Sequence, residues 1–110
     1  MLARSHRFHG YGSLKALYRH SQTVRGAQLS LKYAARPGRP YRVAIVVSRK
    51  VSKSAVVRNR IRRRLYELLR ERADSLTSYD LVLTAFDPEL ATMDAPALAA
   101  MVDDLLSKAL

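Results

Sequence analysis

Apolar and polar residues alternate with a period of two in part of this chain, and that pattern predicts strands. In residues 27–34 every second position is apolar, as in a half-buried strand with one apolar and one polar face. The apolar positions are Leu29, Leu31 and Tyr33, and the polar positions are Gln28, Ser30 and Lys32. Residues 41–48 are rich in β-branched side chains and almost continuously apolar, which is typical of a central strand. Residues 79–85 predict a third strand.

Other segments have the helical period. A helix is predicted from about residue 55 to 73, where one apolar stripe runs through Val57, Ile61, Leu65 and Leu68. A final helix is predicted from about Asp94, which would cap it, with Pro96 in its first turn. A short helix is expected over residues 13–20.

The element order is therefore α-β-β-α-β-α, which indicates a two-layer α/β (α+β) sandwich. The second and third strands are joined through a helix, so we expect them to be parallel neighbours in one sheet backed by helices. The length of 110 residues and the 48% apolar content fit one domain over residues 1–110. Residues 1–12 have no periodicity and are interpreted as a loosely ordered basic arm.

Cysteine is absent, which excludes disulfides and thiolate metal sites and suits a reducing cytoplasm, where we expect the protein to work. No apolar run approaches the roughly 20 residues of a membrane span, so no membrane association is expected.

Charge changes this picture more than composition does. Residues 1–66 carry 17 Lys and Arg and no acid, whereas residues 67–110 carry three bases and all nine acids. The net charge of +11 is thus the difference between a segment of +17 and one of −6. Such polarity indicates a surface that binds a strongly anionic partner.

The densest basic segment lies on the predicted helix. Five arginines and one asparagine occupy residues 58–64. At about 100° per residue, four side chains are predicted on the outward side, opposite the apolar stripe: Asn59, Arg60, Arg62 and Arg63. Arg58 and Arg64 flank the stripe. Arginine pairs bidentately with phosphate, and an asparagine amide suits a base edge or a sugar hydroxyl, so this face predicts nucleic-acid binding.

An arginine-rich helix has two alternatives to nucleic-acid binding. A salt-bridged solvent face needs acids three or four residues away, and only Glu67 is so placed, near Arg63 and Arg64. A localisation signal is usually a disordered run, whereas these arginines lie on a folding helix. Both alternatives are therefore disfavoured.

An independent enzyme is also disfavoured. Acid–base and two-metal chemistry need converging carboxylates or histidines, and the basic part has no carboxylate. His6 and His9 could bind a metal ion, but surface or phosphate-contacting roles are commoner for such residues. We therefore predict neither a catalytic residue nor a metal site.

Residues 42–50 read RVAIVVSRK, and residues 55–64 read AVVRNRIRRR. Together these two motifs resemble the signature of the bacterial ribonuclease P protein family. The resemblance extends upstream to Arg7-Phe8 and the short helix, and downstream to residues 79–83, so it covers nearly the whole chain. It implies an α/β sandwich with a left-handed βαβ crossover.

The resemblance also implies a function: the protein would bind a catalytic RNA and promote removal of the 5′ leader from precursor tRNA. Cleavage and its Mg²⁺ would belong chiefly to the RNA, and no protein partner would be required. The residues expected to contact the catalytic RNA are Arg49, Lys50, Lys53, Arg58, Asn59, Arg60, Arg62, Arg63 and Arg64. The residues expected to bind the leader are Phe8, Leu14, Tyr18, Ser30 and Lys32.

The sequence departs from the family pattern at Leu14 and near Lys32, where aromatic residues are common, so leader binding is expected to rely more on charge. A structural RNA-binding protein of ribosomal type, without a catalytic partner, is the alternative hypothesis. A DNA-binding module is less favoured, because a strand and a connector precede the basic helix where a helix-turn-helix would need another helix.

Overall fold

The computed structural model describes residues 17–110 and contains one four-stranded sheet. The strands are β1 (Gln22–Arg25), β2 (Leu29–Ala35), β3 (Arg42–Val47) and β4 (Tyr79–Ala85). The three predicted strands are confirmed, with bounds that shift by no more than two residues. The sequence did not predict β1, because it is only four residues long and mostly exposed, and its one half-buried apolar side chain is Val24.

The spatial order of the strands is β1-β2-β4-β3. The β1–β2 and β2–β4 pairs are antiparallel, whereas β3 and β4 are parallel neighbours joined through a helix, as predicted. The register places Val82 of β4 between Lys32 and Ala44, and Thr84 between Ser30 and Val46. Because side chains alternate along a strand, these residues share one face of the sheet.

The helices after β3 are α1 (Ala55–Glu71), α2 (Ala73–Leu76), a 3₁₀ helix (Pro88–Ala91) and α3 (Ala95–Ala109). The predicted helix over 55–73 is thus divided at Arg72, and α2 adds one short turn. Asp94 occupies the N-cap position of α3 as predicted, but its side chain makes no capping hydrogen bond. Residues 17–20 are helical. The rest of the predicted helix over 13–20 and the arm over 1–12 lie outside the described residues.

The main core lies between one face of the sheet and the helices α1 and α3. Leu31, Leu83 and Val43 from three strands are almost completely buried in this core. From α1, the fully buried residues are Ile61, Leu65 and Leu69. The predicted stripe is confirmed, because Leu68 is half-buried and packs against this core, but the prediction omitted Leu69, which is fully buried four residues after Leu65. Val57 is also half-buried.

The opposite face of the sheet is more open. Leu17 and Val82 are buried outside the main core. At one end of this face, the buried carboxylate of Asp80 accepts hydrogen bonds from Arg42 Nε at 3.0 Å and Arg42 Nη2 at 2.8 Å. Arg36 Nη1 lies 3.5 Å from the same carboxylate. This ion cluster ties together the end of β2 and the beginnings of β3 and β4.

Candidate nucleic-acid interface

The connector before α1 is held in place by hydrogen bonds to the helix N-terminus. Ser54 caps the helix, because its Oγ accepts from the backbone N–H of Val57 at 3.3 Å. The backbone N–H of Ser54 donates to Ser52 Oγ at 3.1 Å, and Arg58 Nη1 donates to the carbonyl oxygen of Ser52 at 2.8 Å. Arg58 is consequently half-buried and braces the connector against the helix.

The connector and the first turns of α1 enclose an open hollow of about 720 Å³. The residues that line it are Arg49, Lys50, Lys53, Ala55 and Arg58. Arg49, Lys50 and Lys53 are exposed, and no carboxylate from residues 17–110 lines the hollow. Four cations around one concave surface, at the positive end of a helix dipole, are suited to phosphate groups.

The arginines of α1 divide into anchored and free side chains. Arg60 and Arg63 are exposed, and neither makes a hydrogen bond or ion pair with any part of the chain that the structure describes. Arg62 is half-buried, so its predicted outward placement was only partly correct. Its Nη2 donates to the carbonyl oxygen of Val47 at 3.3 Å and its Nη1 to Asn59 Oδ1 at 2.9 Å. The Val47 carbonyl holds the Arg62 guanidinium in place, and Arg62 in turn orients the Asn59 amide.

Arg64 turns away from this face. Its Nη1 donates to the carbonyl oxygen of Leu90 at 2.7 Å, and its Nη2 donates to the carbonyl oxygen of Met93. The predicted position beside the apolar stripe is correct, but the guanidinium binds the backbone around the 3₁₀ helix. Sequence spacing gave no sign of this, because both acceptors are backbone carbonyls more than 25 residues further along the chain.

A smaller hollow of about 210 Å³ lies along the outer face of α1. Asn59, Arg62 and Arg63 line it together with Tyr66, a half-buried aromatic residue that the sequence analysis did not single out. The signal was available, because Tyr66 follows Arg62 and Arg63 at helical spacings of four and three. This hollow combines an aromatic ring, an oriented amide and two guanidinium groups.

The open face of the sheet brings together two of the predicted leader-binding residues. Lys32 Nζ lies 5.6 Å from the centre of the Tyr18 ring, in cation–π geometry, and donates to Thr23 Oγ1 at 3.1 Å. Tyr18 is 46% exposed. Ser30 was predicted to line the same cleft, but it is only 7% exposed, so its side chain is buried rather than open to a ligand. Phe8 and Leu14 lie outside the described residues.

Two exposed apolar residues on this face were missed by the sequence analysis. Phe86 is 49% exposed and Val46 is 37% exposed, and both lie near the C-terminal ends of the parallel strands. The exposure of Phe86 could have been predicted from the sequence. Side chains alternate between the two faces of a strand, so Phe86, two residues after Thr84, is expected on the same open face.

Two acidic residues of α3, Asp103 and Asp104, form ion pairs with basic residues that lie outside the cluster of residues 58–64. Arg72 pairs with Asp103, and Lys108 Nζ lies 3.1 Å from Asp104 Oδ2. The hydrogen bond from Arg72 lowers the pKa of Asp103, and the same bond raises that of Arg72. Among residues 17–110, no group of three or more His, Asp or Glu side chains is arranged to hold a metal ion. Within the same range, no helix has the length and apolar character that a membrane span requires.

A mixed sheet carrying an arginine-rich helix and an open face with an aromatic–lysine pair defines a small α+β RNA-binding protein. The family model described as Ribonuclease P matches residues 2–110. The chain therefore belongs to the ribonuclease P protein family.

Curated relatives agree with this assignment. The ribonuclease P protein component of Synechococcus sp. strain JA-2-3B'a(2-13) is 41% identical over 113 residues, covering 99% of this chain and 85% of the relative. The corresponding protein of Roseiflexus castenholzii is 32% identical over 109 residues, covering 98% of this chain and 88% of the relative.

Solved structures match the fold. The ribonuclease P protein of Staphylococcus aureus superimposes with a TM-score of 0.82 at 20% identity, over 96% of each chain. That of Thermotoga maritima gives a TM-score of 0.80 at 20% identity, over 93% of this chain and 96% of its own. The α+β sandwich is thus confirmed.

Family membership also resolves the functional alternatives. The chain is a ribonuclease P protein component, a subunit of the endoribonuclease complex that matures the 5′ end of tRNA. The alternative of a ribosomal-type structural protein is not favoured. The partner implied by the family is the ribonuclease P RNA.

Proposed function

We propose that the chain binds ribonuclease P RNA through α1 and its connector, and the single-stranded leader of precursor tRNA across the open face of the sheet. One observation carries the first part of the proposal. The exposed cations Arg60 and Arg63 have no acidic partner within residues 17–110, and Arg58 of the same helix lines the basic hollow around Arg49 and Lys53. Unpaired guanidinium groups on a rigid helix are preorganised to bind phosphate.

The anchored arginines support this surface rather than compete with it. Arg58 and Arg62 donate hydrogen bonds to the carbonyl oxygens of Ser52 and Val47, so they fix the connector and the end of β3 relative to α1. Their remaining guanidinium N–H groups can still donate to phosphate at the edge of the surface. We therefore expect Arg60 and Arg63 to contribute mainly to affinity and Arg58 and Arg62 mainly to geometry.

Leader binding would use the open face of the sheet, which is the face opposite to the main core. The Tyr18 ring is exposed and Lys32 is held beside it, so a base can stack on the ring while a leader phosphate approaches the ammonium group. This combination is tolerant of sequence, because every base has a π-face. A subunit that meets leaders of many tRNA precursors needs such tolerance.

The protein would assist an RNA catalyst by electrostatics. Cationic side chains between two RNA molecules reduce phosphate repulsion, and they attract phosphate but repel Mg²⁺. We infer that the Mg²⁺ needed for cleavage is held chiefly by the RNA subunit and that the protein lowers the concentration required. We expect the complex to work in the cytoplasm and to need no further protein.

Reconstitution tests the proposal. The pure protein is mixed with ribonuclease P RNA from its own organism at low Mg²⁺, and cleavage of a precursor tRNA is measured against the RNA alone. Stimulation that declines as Mg²⁺ is raised supports the proposal. Equal cleavage with and without the protein at every Mg²⁺ concentration would contradict it.

A further inference from the structure

The exposed side chains of Phe86 and Val46 belong to one concave surface of about 260 Å³. We call it the Phe86 notch, and the residues that line it are chiefly Val46, Ser48, Lys50, Val51, Thr84 and Phe86. We propose that the Phe86 notch binds one unstacked base of the precursor leader and thereby makes Phe86 a determinant of leader affinity. This inference rests on the proposed leader-binding function.

The chemistry of the notch fits a nucleobase. Phe86 and Val46 provide apolar contact area. A phenylalanine ring has no polar group that needs a hydrogen-bond partner, so a flat ring such as a nucleobase can stack on its face. The backbone N–H of Phe86 donates to the carbonyl oxygen of Gln28 at 2.9 Å, which fixes the backbone that carries the ring. Lys50 lies on the rim, where its ammonium group can neutralise the adjoining phosphate. An RNA strand can contact both the apolar residues and the lysine of the notch, through a base and a phosphate, whereas an uncharged apolar ligand would contact only the apolar residues.

The position of the notch supports the leader as its occupant. Thr84 pairs with Val46 on one side and Ser30 on the other, one row along the sheet from the row that contains Lys32. Lys50 also lines the basic hollow before α1. The notch therefore lies between the proposed site for the catalytic RNA and the Tyr18–Lys32 pair. A leader strand that runs from the proposed site for the catalytic RNA to Tyr18 would pass over it.

An abasic scan tests the inference. Precursor tRNAs with a single abasic nucleotide at each leader position in turn are bound to the holoenzyme reconstituted from protein and ribonuclease P RNA, and Kd is measured. With the unaltered protein, we expect a roughly tenfold loss at one position between the cleavage site and the position sensed through Tyr18. Phe86→Ala should weaken the unmodified substrate by a similar factor and abolish the response to that abasic site, because both changes remove the same contact.

Matched variants separate stacking from packing. Phe86→Tyr keeps the ring and should bind like the unaltered protein, whereas Phe86→Leu keeps apolar bulk without the ring and should resemble Phe86→Ala. Urea unfolding of each variant checks that the fold is intact, which we expect because half of the Phe86 side chain is already exposed.

Three outcomes would overturn the inference. In the first, Phe86→Ala binds every precursor as the unaltered protein does, while Tyr18→Ala still shows leader-dependent loss; leader binding then stands without the notch. In the second, Phe86→Ala weakens precursor and leaderless tRNA equally, which would assign the notch to another RNA contact. In the third, leader length has no effect on the unaltered holoenzyme, and the proposed leader-binding function fails together with the notch.

Discussion

Arg64 Nη1 donates a hydrogen bond to the carbonyl oxygen of Leu90 at 2.7 Å, and this bond joins the middle of α1 to the 3₁₀ helix 26 residues further along the chain. The second terminal nitrogen of Arg64 bonds to the carbonyl oxygen of Met93, just before α3. One guanidinium thus satisfies two backbone acceptors on a segment that closes the core. Its neighbour Arg63 is exposed and makes no such bond with residues 17–110.

The contrast predicts opposite effects for neighbouring arginines. Arg64→Met keeps the aliphatic stem but leaves two carbonyl acceptors without their donor, so we expect the free energy of unfolding to fall by about 1–3 kcal/mol. Arg63→Met is the matched control and should leave stability within about 0.5 kcal/mol. Urea unfolding followed by circular dichroism measures both. An unchanged urea midpoint for Arg64→Met would show that these hydrogen bonds add nothing to stability.

The exposed arginines of α1 should matter for RNA affinity rather than for stability. Arg60→Ala and Arg63→Ala each remove an exposed cation, so each should weaken binding to ribonuclease P RNA and reduce the slope of log K against log salt by about one. The matched control is Lys108→Ala, an exposed cation beside Asp104 on the acidic part of the surface, which should leave the slope unchanged. Filter binding across a range of salt concentrations measures the slopes. Equal slopes for all four proteins would remove α1 from the interface.

How far the sequence predicts this protein depends on whether the relevant contacts are local. The strand β4 and the helix α1 follow from local patterns, because the mostly apolar run over residues 79–85 and the four-residue spacing of Val57, Ile61 and Leu65 are local signals. The strand β1 could not be predicted in this way, since its pairing with β2 comes from backbone hydrogen bonds rather than from apolar pattern.

The same distinction applies to the site. Helical geometry identified Arg60 and Arg63 as outward residues, and they are exposed. It could not identify the carbonyl acceptors of Arg62 and Arg64, because these lie on β3 and around the 3₁₀ helix. Ser30 shows the same limit, because alternation along the strand placed it on the open face of the sheet, yet its side chain is buried.

The Tyr18–Lys32 pair predicts a leader-specific defect. Tyr18→Ala removes the ring that lies 5.6 Å from the Lys32 ammonium, so affinity for precursor tRNA with a long leader should fall by roughly five- to tenfold. Leaderless tRNA should bind the holoenzyme unchanged. Tyr18→Phe is the matched control, because it keeps the ring and loses only the hydroxyl. Equal losses with both RNAs would exclude Tyr18 from leader binding.

The Arg72–Asp103 pair predicts a specific acid sensitivity. The hydrogen bond from Arg72 holds the pKa of Asp103 below its ordinary value of 3.8. A carboxyl group with a lowered folded-state pKa stabilises the protein fully above its unfolded pKa, and this contribution is lost as pH falls through the folded value. The contribution is small, because the Asp103 side chain is 55% exposed and solvent screens the pair.

Comparison with Asp103→Asn isolates that contribution. The urea midpoint of the unaltered protein should exceed that of the variant by a constant margin from about pH 7 to pH 5, and the margin should shrink as pH falls below about 4. The pKa values of Glu67 and Asp87 are also lowered, by Arg70 and by the backbone N–H of Glu89. Both groups are present in the two proteins, so their titration cancels in the difference. A margin that persists unchanged to pH 3 would mean that Asp103 stabilises α3 by something other than its charge.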